Sequence, residues 1–422
     1  YQGIGQSIVG TYVQDDWRVS RKLTVNLGLR YEFFTTPTEV NEKVANLRNL
    51  TDPTTTVGEP FFNNPSKKNF APRVGFAYVP FSDGKTSIRG GYGIYDMPIL
   101  PYLYRFEISG QPPFAGLAFV GGPPPIFFPA PFPDAFEVIS SSQLPLPPSV
   151  NTIDFNPERT YMQQYNLNVQ REVMRNLVVT AGYIGSTGVH LGRKNSVNQR
   201  TDFTFVNGRK FFPELPAGVP PQSKFLNPNF GAIRQNTFDG VSSYNALQLR
   251  VEKRLSRGLD FQASYTWGKA LDDASGTESE FANVPGGSRV QDPLDRRAEH
   301  GRAAFDVRHT FIMGATYELP TNSRFTGVTD KLLNGWELTG LLTTRGGFPF
   351  NVVIGFDRAR DASPDNIAQR PDLVPGRSYS SAITGDPNRY IDASAFTLAP
   401  AGMYGNSGRN VLDGPGLSTF DL

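Results

Sequence analysis

The segment LTVNLGLRYEFF, residues 23–34, constrains the fold more than any other stretch. Leu23, Val25, Leu27, Leu29, Tyr31 and Phe33 take alternate positions, and Thr24, Asn26, Gly28, Arg30 and Glu32 take the others. A period of two puts successive side chains on opposite faces of a β-strand. This strand has one apolar and one polar face. What the apolar face meets, a protein core or lipid, decides what kind of protein this is.

The pattern recurs. Residues 70–79, 86–95, 160–170, 177–185, 244–256, 259–271, 308–319 and 335–345 alternate in the same way and 7–19 more loosely, which predicts roughly ten antiparallel strands. No stretch has the caps and 3.6-residue period of a helix of useful length; TDKLLNG (329–335) supports one turn at most. Connectors after odd-numbered strands are mostly short, around Ser20, Asp83, Met174 and Arg257, with a longer one between Glu318 and Gly335. Connectors after even-numbered strands are long: about 35–69, 96–159, 187–242, 272–307 and 346 onward. Successive hairpins send their turns to opposite ends. One end is therefore tight and the other carries large loops, the asymmetry of outer-membrane barrels. The segment 96–159 holds 14 of the 35 prolines and reads as a Pro-rich long loop, because proline cannot donate to a strand ladder.

The alternatives to a barrel are a soluble sandwich or propeller whose apolar faces form its interior. Three features favour lipid. The strands run about 9–13 residues, long for a sandwich and right for a tilted bilayer crossing. The loop asymmetry holds over five hairpins. Trp17, Tyr31, Phe33, Tyr95, Tyr161, Trp267, Tyr317 and Trp336 sit near strand ends, as interfacial girdles do. A propeller repeat of about 40–45 residues is not seen. The expected fold is all-β: a partial antiparallel transmembrane β-barrel with long extracellular loops, spanning 1–422. Its polar faces then line a lumen, with Asn26, Arg30, Glu32, Gln164, Asn166, Asn168, Gln248, Arg250 and Glu252 pointing inward.

Composition narrows the chemistry. With 41 basic and 39 acidic residues, nothing favours nucleic acid as a partner. The absence of cysteine excludes disulfides and thiolate chemistry. His190, His300 and His309 show no zinc-binding spacing; two fall in loops or at strand ends and His309 starts a strand. GSTG (185–188) lacks nucleophile-elbow spacing, and YQGIG lacks the third glycine of a dinucleotide fingerprint. No catalytic residue or cofactor is expected. Asp272, Asp273, Glu278 and Glu280 form an acidic run able to offer oxygens to Ca²⁺, without the order of a known calcium loop; a solvated loop is the plainer expectation. The charge-dense segment 292–309 is expected to pack as a salt-bridged loop at the lumen mouth.

Several hairpins resemble the Oar-like TonB-dependent receptors, outer-membrane proteins abundant in Acidobacteria. They are YVQDDWRVSRKLTVNLGLRYEFFTTPTE (12–39), NFAPRVGFAYVPFSDGKTSIRGGYGIYDM (69–97), YNLNVQREVMRNLVVTAGYIGSTGVHL (165–191) and SYNALQLRVEKRLSRGLDFQASYTWGKALDD (243–273). FDVRHTFIMGATYELP (305–320) and GWELTGLLTTRGGFPFNV (335–352) follow in family order. The resemblance implies a larger plugged barrel of about 22 strands in the outer membrane of a Gram-negative bacterium. It further implies an extracellular ligand bound by the long loops, and energy from an inner-membrane TonB complex acting on a plug. The chain is then expected to be a portion of a longer protein, without the sandwich, plug and last strands. Expressed alone it should aggregate, because an open barrel leaves unpaired edges in lipid. Surface adhesion, or binding by a soluble β-sandwich or propeller-type protein, without transport is the alternative function.

Overall fold

The computed structural model describes residues 3–109, 112–114, 147–273, 275, 290–319, 327–329, 334–363 and 368–422. Eleven antiparallel strands form one meander, each paired with the next in sequence. They are β1 (Ile8–Arg18), β2 (Leu23–Phe34), β3 (Phe70–Tyr78), β4 (Thr86–Asp96), β5 (Tyr161–Met174), β6 (Leu177–Ser196), β7 (Ile233–Ser256), β8 (Leu259–Asp272), β9 (His309–Glu318), β10 (Glu337–Arg345) and β11 (Leu417–Asp421). Ten match the expected strands; β11 adds an eleventh where GPGLSTFDL opens a further alternating pattern. β1 and β11 are the two edges of the sheet.

Three expectations need correction. The connector 187–242 is shorter than its sequence suggests, because β6 runs on to Ser196 and β7 begins at Ile233. The two stay paired to their far ends, from Ser196 opposite Arg234 onward, so this hairpin projects well past its neighbours. Polar residues such as Arg193, Asn195, Gln235 and Asp239 broke the apolar alternation there and hid the strands. The Pro-rich segment 96–159 is not all loop. It contains a helix, α1 (Pro101–Ser109), with proline at its first position, where the missing N–H costs no hydrogen bond. It also contains Val150–Ile153, which pairs in parallel with the start of β7. His190 lies within β6, at a register shift, with a left-handed backbone.

Register sorts the side chains into two faces. Trp17, Val25, Phe76, Gly90, Leu167, Tyr183, Leu247 and Trp267 stand opposite one another across eight strands. On the other face, Asn26, Gly75, Gly91 and Asn166 form one row, and Asn168, Gly182, Gln248 and Thr266 form another. The apolar face is uncovered: Trp17 is 57% exposed, Leu167 48% and Trp267 53%. Its strand glycines are shielded by aromatic rings. Phe76 lies over Gly90 and Tyr165 over Gly185, so a Cβ at either position would collide with the ring. The one polar group flanked by tyrosines on this face is satisfied: the Tyr165 and Tyr183 hydroxyls donate to Asn245 Oδ1 at 2.8 and 2.6 Å. Tyr95 belongs instead to the polar face, where the Arg73 guanidinium stacks on its ring at 4.3 Å. It is not part of an apolar girdle.

An exposed apolar face of this size is stable only against lipid. Leu247→Arg is expected to cost the full-length protein about 2–4 kcal/mol in vesicles, whereas Gln248→Arg next to it should cost little. Urea titration followed by heat-modifiable gel migration measures both. Equal costs at the two positions would contradict the face assignment.

Candidate functional site: a packed loop cap above a polar wall

Most large buried apolar side chains lie outside the sheet or at the cap ends of its strands, as Phe34, Ile233 and Phe238 do. Among the described residues, the core sits in the long loops at one end. One cluster joins Phe34, Val44, Phe61, Phe62, Ile99 and Tyr104 with Ile153 and Phe238, gathering two loops, α1 and the projecting part of β7. A second packs Leu47, Val150, Val197, Phe230 and Ile233. Two more form around Phe212 and Tyr404, and around Ala382, Ala395 and Leu412. The loops are thus a folded cap with its own interior.

Buried polar groups tie the loops together. Arg370 grips Glu299 with two hydrogen bonds of 2.8 and 3.1 Å, and both side chains are almost fully buried. The Arg370 Nε also donates to the Ser407 carbonyl, and Glu299 accepts from the Gln291 amide. Arg409 pairs with Asp272 at 2.6 Å, also buried, and donates to the Ser275 carbonyl. These two pairs latch the connector between β8 and β9 to the connector between β10 and β11. Arg200 pairs with Asp202 at 2.8 Å and donates to the carbonyls of Arg360 and Pro213, fastening a third connector. Asn46 donates to the carbonyls of Phe61 and Ile153, joining the connector after β2 to Val150–Ile153. Charges buried this fully persist only because each finds a partner and further hydrogen bonds.

The pKa shifts follow from these contacts. The hydrogen bonds from Arg200 hold the Asp202 carboxyl below the usual range. Burial pushes Tyr404 far above its ordinary value, and its hydroxyl donates to Asp361 at 2.8 Å. Burial also raises Asp154.

All nine residues expected at the lumen fall on the polar face of the sheet. Arg30 and Glu32 pair with each other at 2.7 Å, and Arg250 pairs with Glu252. Asn26 donates to Asp16 at 2.5 Å and Asn168 to Asn166 at 3.2 Å. Gln164 and Asn166 border a shallow groove whose floor is Gly28, Gly75, Gly91 and Gly93. Of the acidic run, Asp272 and Asp273 are among the described residues. Asp272 is occupied by Arg409, and Asp273 accepts from the Val241 amide at 2.7 Å and faces Arg296. Glu278 and Glu280 lie outside the described residues, as does most of TDKLLNG. The segment 292–309 is salt-bridged as expected, through Asp292 to Lys210, Glu299 to Arg370 and Asp306 to Arg302. Arg370 and Arg409 were missed, because their partners are 71 and 137 residues away in sequence.

The outer-membrane β-barrel domain model matches residues 1–422. The chain belongs to that family, and its place is the outer membrane of a Gram-negative bacterium. No curated protein matches it in sequence. Among solved structures it is similar to the outer-membrane transporter YddB from Escherichia coli, at 14% identity over 84% of this chain and 35% of that one, with a TM-score of 0.43. It is similar to the ferripyoverdine receptor of Pseudomonas aeruginosa at 14% identity over 83% and 30%, with a TM-score of 0.41. For the FrpB iron transporter from Neisseria meningitidis the values are 11%, 81%, 32% and 0.36. The chain spans about a third of the length of these proteins.

Arg370→Ala leaves the buried Glu299 without its cation, with only the Gln291 amide still donating to it, which is expected to cost the cap about 3–5 kcal/mol. Limited proteolysis in the connectors on either side should rise while the sheet stays folded; unchanged cleavage would contradict the latch. A second outcome concerns pH. Asp202 titrates lower in the folded cap than in the unfolded chain. Its contribution is therefore present above the unfolded carboxylate value of about 3.9 and lost as pH falls through the folded one. Hydrogen exchange across 200–214 should accelerate in that acid window; a flat profile would contradict it.

Proposed function

We propose that the chain is the barrel portion of a TonB-dependent outer-membrane receptor of the Oar-like type, which captures an extracellular ligand through the loop cap and passes it along the polar wall. The observation that carries this is the cap. Loops that only closed hairpins would need no buried Arg–Glu and Arg–Asp latches, whereas a receiving surface needs side chains held in fixed places. The polar face beneath supplies amides and paired charges, the lining expected of a plugged lumen. Asn26, Arg30, Glu32, Gln164, Asn166, Asn168, Gln248, Arg250 and Glu252 are its lumen-facing residues. The hairpins quoted above support the TonB-dependent class, with energy reaching the ligand through a plug and an inner-membrane TonB complex. Asp272 and Asp273 serve as structural carboxylates in the cap.

A rigid cap also suits adhesion without transport, and energy dependence separates the two. Cells carrying the full-length gene and cells lacking it are incubated in rich spent medium, and solutes are followed by mass spectrometry. Receptor function predicts that at least one solute is depleted only by expressing cells, and that a protonophore stops it. Surface binding unchanged by the protonophore, with no depletion, would make this an adhesin.

A further inference from the structure

The four tight turns at the end opposite the cap share one composition. With the strand ends beside them, residues 18–22, 79–86, 171–176 and 253–260 together hold nine basic and three acidic residues. The whole chain carries 41 basic against 39 acidic, so the rest is more acidic than basic and the excess of cations gathers at this rim. Two of the turns show how tightly the chain reverses. Ser20 Oγ accepts from the amides of Lys22 and Leu23, and Arg257 and Gly258 both take the left-handed backbone of a tight hairpin. Arg21, Lys85, Arg175, Arg254 and Arg257 are exposed and make no ion pair among the described residues.

Each turn also presents an apolar side chain beside its cations. Val19 is 43% exposed, Phe81 54%, Met174 64% and Leu255 51%. On the neighbouring strands Arg171 and Lys253 share the apolar face by register, opposite Val179 and Phe261. A protein that only needed solubility at this end would not repeat an exposed apolar residue next to unpaired cations four times. An interface with anionic headgroups above hydrocarbon accepts both at once.

We infer that the short-turn rim is a binding surface for anionic phospholipid headgroups of the periplasmic leaflet, with the cations on phosphates and Val19, Phe81, Met174 and Leu255 in the acyl boundary. The surface continues the lipid-facing side of the sheet, so its occupant is the bilayer. This rests on the barrel reading, in which short turns face the periplasm.

The test uses the full-length protein, purified and reconstituted in phosphatidylcholine vesicles with about 30% phosphatidylglycerol. Heat-modifiable migration first establishes a folded barrel; a protein that never shows it overturns the barrel reading and this inference with it. Lipid retained after detergent extraction is then quantified. Wild type should hold phosphatidylglycerol over phosphatidylcholine by about tenfold, and about 0.5 M salt should erase the preference. Replacing Arg21, Lys22, Lys85, Arg175, Arg254 and Arg257 with glutamine should erase it at low salt, while Lys67→Gln with Lys68→Gln at the cap end should not. A folded barrel without the preference, or one that loses it only with the cap-end changes, overturns the inference and leaves the barrel reading standing. A preference that the six changes leave intact but an added acidic protein competes away also overturns it.

Discussion

Hydrocarbon offers no hydrogen bonds, and that one fact organises the molecule. Every backbone N–H and C=O at membrane depth must be satisfied by the neighbouring strand, which only a sheet closed on itself achieves throughout. The uninterrupted ladder from β1 to β11 meets this demand strand by strand. Once the backbone is satisfied laterally, side chains are free to divide by solvent, and the period of two in LTVNLGLRYEFF is the result. Some of the exceptions are covered. Asn245 on the apolar face is covered by two tyrosine hydroxyls, and glycines there sit beneath aromatic rings.

The sheet has no apolar interior, so the ordinary logic of a hydrophobic core moves to the loops. Four clusters and several buried ion pairs assemble from connectors far apart in sequence. The latches differ from the sheet in kind. Sheet stability comes from lipid on one side and pairing along the backbone. Cap stability depends on individual charges finding single partners, so it responds to pH and to single substitutions. A receptor benefits from this division, because its wall and its recognition surface can change independently.

Much of the sheet was legible because strand periodicity is local. LTVNLGLRYEFF needs no distant partner to declare its faces, and Asn26, Arg30 and Glu32 fell where alternation placed them. The cap was not legible, for reasons equally physical. Arg370 and Glu299 are drawn together by burial, and no spacing rule connects residues in different connectors. The helix Pro101–Ser109 escaped notice because the surrounding prolines dominate the composition. The distal halves of β6 and β7 escaped because they pack into the cap, where polar Arg193 and Asn195 are buried, as are Ile233 and Phe238, and the alternation that marks a lipid-facing strand disappears. Arg409 as the partner of Asp272 was equally hidden, since the two lie 137 residues apart.

The central claim is that one face of this sheet meets lipid and the other water. The chain has no cysteine, so each introduced thiol is unique within residues 1–422. Single cysteines placed in turn from Asn245 to Val251 of the full-length protein, in outer-membrane vesicles, would be treated with a membrane-impermeant maleimide and, separately, carry a fluorophore quenched by lipid-borne nitroxides. The account predicts strict alternation: positions 246, 248 and 250 label from water, and 247, 249 and 251 quench from lipid. Labelling of both sets from water, or protection of both from water and lipid alike, would mean a soluble sandwich and would contradict it.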